Sequence, residues 1–124
     1  MSVIIWRDSV AMGDDIDAPH EWRVALAANA TVAKLVTEIL QKGYLAMIAG
    51  GRASWIVEGR SPVAVLAQQW SAPRWLVDSE TPLTALRRQT GRANFEIRYW
   101  CQVDPEEVFA CLRDRKPLPE RDGR

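Results

Sequence analysis

The chain has 124 residues, a length that fits one domain able to bury roughly two-thirds of its unfolded surface without disulfide or metal staples. Hydrophobic residues make up 48% and charged residues 26%, which excludes a disordered chain for the main body. Sixteen basic and sixteen acidic residues cancel, so no whole-molecule field draws the protein to nucleic acid or to an anionic membrane.

The first residues, "MSVIIWRDSV", carry no basic leader, and their apolar run is too short for a signal-peptide core or a membrane span. A cytoplasmic location and no membrane partner are expected. From Val3 to about Val10 this segment is β-branched and apolar, and Glu21 to Ala28 alternates Trp22, Val24 and Leu26 with Arg23, Ala25 and Ala27. A period of two marks half-buried strands, so a long hairpin is expected here.

In "NATVAKLVTEILQKGYL", Val32, Leu35, Val36, Ile39 and Leu40 draw one apolar stripe on a helix. Asn29 or Thr31 can cap its start, and Gly43 suits a left-handed stop. Three short apolar runs follow, around Met47, Trp55 to Val57 and Val63 to Ala67, divided by Gly50-Gly51 and "EGRSP", and read as strands joined by hairpins. "RWLV" adds one more short strand. "SETPLTALRRQTG" predicts a second helix, with Ser79 or Thr81 as cap, Pro82 in the first turn and Gly91 as the stop. "NFEIRYW" is an alternating strand, and "DPEEVFACLRDR" is a helix with Asp104 as cap, Pro105 at the first helical position and Glu107 completing a capping box. Residues 1–115 then form a single globular domain, and residues 116–124 a solvated tail.

The order β-β-α-β-β(-β)-α-β-α predicts an α+β fold with a mostly antiparallel or mixed sheet and helices packed on one face. Two strands, a long helix and further strands resemble the element order of the β-grasp (ubiquitin-like) fold.

"AMGDDIDAPHEW" gathers Asp14, Asp15, Asp17, the single histidine His20 and Glu21. Asp14, Asp15, Asp17 and His20 are the candidate ligands for a metal-dependent enzyme, since hard cations take several oxygens. The spacing lacks the alternation and central glycine of an EF-hand and the further histidines or thiolates of a zinc site. A solvated acidic loop that meets a partner is the preferred reading. With one histidine, any serine or cysteine nucleophile would depend on His20, and neither a nucleophile elbow nor a phosphate-binding glycine loop is present. Cys101 and Cys111 have no ligand or redox spacing and read as small buried apolar residues.

Arg87, Arg88 and Arg92 in "LRRQTGR" are the candidate phosphate or nucleic-acid contacts, although zero net charge and the lack of interleaved aromatics argue against nucleic acid. Six tryptophans are the compositional outlier. Trp100 has the opposite parity from Phe95, Ile97 and Tyr99, so it points to the other face of the sheet. If tryptophans converge on an exposed face, they mark a protein contact or a homodimer interface. The expectation is therefore a non-catalytic, bacterial-type interaction module such as an adaptor, regulator or immunity protein. It would bind through Asp14, Asp15, Asp17, His20, Glu21 and Trp100, with no cofactor.

Overall fold

The computed structural model describes residues 1–8, 21–43, 45, 52–101 and 103–120. Six strands form one mixed sheet in the order β2-β1-β6-β3-β4-β5. They are β1 (Ser2–Arg7), β2 (Glu21–Ala25), β3 (Ser54–Glu58), β4 (Pro62–Ala67), β5 (Arg74–Trp75) and β6 (Phe95–Tyr99). Three helices accompany them: α1 (Val32–Gln41), α2 (Leu83–Leu86) and α3 (Pro105–Arg113). The protein is α+β, as the sequence predicts. The run around Met47 lies outside the described residues, apart from Leu45.

Two antiparallel hairpins, β1–β2 and β3–β4, are joined through β6, which runs parallel to β1 and antiparallel to β3. Asn94 starts β6 by latching it to β1: its backbone N–H donates to the Ile4 carbonyl (2.8 Å), and its Oδ1 accepts from the Ile4 N–H (2.8 Å). At the other end the Asp8 N–H donates to the Ile97 carbonyl, and the Asp8 carboxylate accepts from the Tyr99 N–H (3.1 Å).

Alternation assigns Val3, Ile5, Val24, Trp55, Val57, Phe95, Ile97 and Tyr99 to one face. There they bury the stripe of α1, in which Val32, Leu35 and Ile39 are wholly inaccessible, and the Leu83 side chain of α2. Each such side chain contributes about 1.5–3 kcal/mol through burial. Thr31 caps α1, its Oγ1 accepting from the Lys34 N–H, and Gly43 follows the helix at φ 64°, the left-handed stop expected of it.

The third helix departs from the expected arrangement. Ile56, Val65 and Trp100 point to the opposite face, and there they pack with Val103 and with Val108 of α3, so the helices cover both faces. The chain crosses over at Cys101, buried and left-handed at φ 57°, whose carbonyl accepts from the Ser54 N–H. Cys111, on α3, is half-buried, and the two cysteines are not joined in a disulfide. Asp104 caps α3 by accepting from the Glu106 N–H (3.0 Å), with Pro105 in the first turn as expected. Of the segment expected to be a solvated tail, Leu118 packs against this second cluster, and the Pro119 carbonyl accepts from the Trp100 indole N–H (2.8 Å).

The second helix is shorter than the 79–91 pattern suggests. Pro82 stands before it as an extended cap residue, and Arg87 is already extended at ψ 146°. Its thin apolar side, Leu83 and Leu86, holds one turn only, and the chain leaves the helix so that Arg88 can reach Glu58 and Gly59.

Two backbone positions carry stability tests. A Cβ on Gly59 would overlap the Leu86 carbonyl oxygen and lie 2.8 Å from Phe95 Cε1, both held by the core. Gly59→Ala is therefore expected to cost about 2 kcal/mol or more in chemical denaturation. At the end of α3 the Lys116 N–H donates to the Cys111 carbonyl (2.8 Å) and the Arg115 N–H to that of Leu112 (3.3 Å), the paired bonds of a Schellman stop, with Arg115 at φ 57° where glycine is usual. Arg115→Gly should stabilise the fold by up to about 1 kcal/mol, the relief of the left-handed backbone exceeding glycine's greater unfolded-state entropy. An unchanged or lower midpoint would contradict this.

Candidate recognition surfaces

Asp14, Asp15, Asp17 and His20, the expected partner-binding or metal-ligating residues, lie outside the described residues. Glu21 opens the edge strand β2, is exposed, and sits 3.5 Å from Arg23. Among the described residues no group of three or more His, Cys, Asp or Glu side chains is placed to hold a metal ion. No helix among them is long and apolar enough to cross a membrane.

Trp100 points to the second face, as its parity predicts, but it is not a surface anchor. Only 8% of it is accessible, because α3 and the segment through Pro119 close over it. The other tryptophans are also distributed inward. Trp55 is buried against Tyr99 at 4.8 Å between ring centroids, Trp22 and Trp75 flank the α1-side core, and Trp70 flanks the α3-side cluster. Trp6 is half-buried with the Arg92 guanidinium 4.2 Å over its ring. No exposed aromatic sheet face results among the described residues.

The arginine candidates have an internal task. Strand register sets Glu58 and Glu96 directly opposite one another on β3 and β6, a like-charge pair that would destabilise the sheet if left alone. Arg88 bridges them at 2.9 Å and 3.4 Å and also donates through Nε to the Gly59 carbonyl (2.7 Å). Arg98 reaches Glu58 at 2.8 Å, and Arg92 reaches Glu96 at 3.2 Å. Arg88 and Arg92, expected as phosphate contacts, are thus matched by carboxylates of the same sheet. Arg87 is half-buried, its Nε without a hydrogen-bond partner and its carbonyl accepting from Arg60 Nε (3.1 Å).

Two concavities arise elsewhere. At the C-terminal end of α1, Ile39, Leu40, Leu45, Leu66 and Trp70 wall an apolar cleft of about 240 Å³. Leu40, at 47% accessibility, is the exposed large hydrophobic side chain among the described residues. Sequence periodicity includes Leu40 in the buried stripe. It lies at the margin of that stripe, which is the signal that could have singled it out. The second concavity is a groove of about 440 Å³ where β5 meets the end of α3, bordered by Pro62, Trp75, Phe109, Leu112, Arg113 and Arg115. Trp75 is one of the six tryptophans, but the groove itself does not stand out in sequence, because three separate segments build it.

Compared with known proteins, the chain matches no family model, and neither a curated protein nor a solved structure matches it. The β-grasp resemblance accordingly rests on element order alone.

The arginine network carries a direct test. Arg88→Ala removes a partly buried cation from two carboxylates and a backbone carbonyl, and should cost about 1–3 kcal/mol of stability. Arg92→Ala, at the exposed end of the network, should cost less than about 1 kcal/mol. Urea unfolding of both variants checks the ranking, and equal losses would show that Arg88 does not hold the carboxylate pair together.

Proposed function

We propose that the protein is a small non-catalytic interaction module of the adaptor, regulator or immunity-protein kind, acting in the cytoplasm, and that it receives an apolar side chain of a protein partner in the cleft beside Leu40. The observation that carries this reading is Leu40 itself. A leucine left half in water at the mouth of an apolar cleft keeps surface exposed that burial would stabilise by about 25 cal/mol per Å². Trp70 and Leu45 extend the same apolar wall, and large side chains of this kind supply most of the energy at protein interfaces. The acidic run Asp14, Asp15, Asp17 and Glu21 supports a basic partner, since opposite charge accelerates encounter more than it adds affinity.

The test uses Leu40→Lys, which places a charge at the cleft mouth and suits the negative end of the α1 dipole, so stability should move by no more than about 0.5 kcal/mol. Wild type and variant are immobilised and exposed to native lysate, and retained proteins are compared by mass spectrometry beside sedimentation of each form alone. A protein held by wild type and lost by Leu40→Lys supports the reading. Self-association lost in the variant assigns the cleft to a second copy instead. Identical retention by both forms, or monomers that retain nothing, rejects it.

A further inference from the structure

The groove at the β5 edge combines apolar walls, one cation without a counter-ion among the described residues and a strand edge. Pro62 and Leu76 form one side, Leu76 facing the α3-side cluster, and Phe109 and Leu112 of α3 the other. On the α3 side two arginines stand at the rim in different states. Arg113 is held by Asp114 through two bonds of 3.0 Å and 3.1 Å, and that hydrogen bonding keeps the Asp114 carboxyl below its usual range. Arg115 makes no ion pair among the described residues, and Lys116, exposed, follows it. Among the described residues two rim arginines stand against the one carboxylate of Asp114, which makes this rim positive.

Arg115 also occupies a backbone position that disfavours it. At φ 57° in the stop of α3, glycine is the residue that backbone sterics select, yet a long cation is present there and borders the groove. The strand edge offers the third element. The Leu76 N–H donates to the Val63 carbonyl, and Arg74 stands opposite Val65, so by antiparallel alternation the Trp75 backbone N–H and C=O point away from β4.

We propose that this groove binds an extended acidic peptide segment of a protein partner, with an apolar or aromatic side chain between Leu76 and Phe109 and a neighbouring carboxylate on Arg115. Charge complementarity selects the carboxylate, since a guanidinium pairs with it through two parallel hydrogen bonds. The exposed backbone of Trp75 adds main-chain hydrogen bonds of the kind that dock a peptide on a sheet edge. The groove is independent of the Leu40 cleft: one opens at the Pro62 end of β4 and the other at the Leu66–Ala67 end. Either site can therefore fail without the other.

The experiment titrates a fluorescein-labelled peptide of alternating phenylalanine and glutamate, and its lysine-for-glutamate counterpart, with the full chain and with Arg115→Gly. Anisotropy reports affinity, and the cross-peak of the Trp75 backbone amide, which points out of the sheet edge, reports the site in a ¹H–¹⁵N spectrum. The glutamate peptide should bind at least about tenfold more tightly than the lysine peptide, weaken with salt and shift the Trp75 signal. Arg115→Gly, which should fold at least as stably as wild type, should lose about tenfold in affinity. Lost binding in a more stable protein cannot be ascribed to unfolding. Equal binding of the two peptides, unchanged affinity in Arg115→Gly, no binding at about millimolar protein, or shifts confined to the Leu40 and Trp70 region would each overturn the proposal.

Discussion

The parallel pairing of β1 with β6 is the constraint on which the rest of the molecule depends. Ile5 stands beside Phe95 and Arg7 beside Ile97, so the first and the last strand meet inside the sheet. Without that contact the two hairpins have no common surface, and α1 has no continuous floor on which to bury Val32, Leu35 and Ile39. Asn94 acts at the place where this pairing begins. Its amide group bonds Ile4 on one side and, through Nδ2, the Arg88 carbonyl on the other (2.8 Å), tying the sheet's centre to the segment that leaves α2.

The same pairing explains the arginine network. Inserting β6 between β1 and β3 sets Glu96 against Glu58, and the cations that resolve this come from the loop before β6 and from β6 itself. What looks in sequence like a basic patch is therefore an electrostatic joint inside the sheet. Arg113, Arg115 and Lys116 gather at the end of α3, where the chain stops that helix on an arginine.

Local features were legible because local physics decides them. The stripe of α1 with its Thr31 cap and Gly43 stop, the Asp104–Pro105 start of α3, and the alternation of β1, β2 and β6 all follow from periodicity and capping within about a dozen residues. The length of α2 was not legible, because Arg88 leaves the helix for contacts with Gly59 and Glu58, about thirty positions earlier. The opposite parity of Trp100 correctly separated it from Phe95, Ile97 and Tyr99, yet nothing nearby says which element will cover that face. α3 does so after a left-handed turn at a cysteine, a residue that gives no warning of positive φ. The recognition surfaces were the least legible part. Leu40 reads as core, and the β5 groove exists only once Pro62, Trp75 and Phe109 have been brought together by long-range folding.

The order in which the two faces are covered has a consequence for synthesis. α1 precedes β3, β4, β5 and β6, so these strands can settle onto a helix that already exists. α3 comes after all of them, and until it emerges Ile56, Val65 and Trp100 form a bare apolar surface on an otherwise complete sheet. A chain still held at the ribosome at that stage is a natural client for a chaperone, and one released early would present the same surface to its neighbours. The last helix and the few residues after it are what turn a sticky sheet into a finished fold.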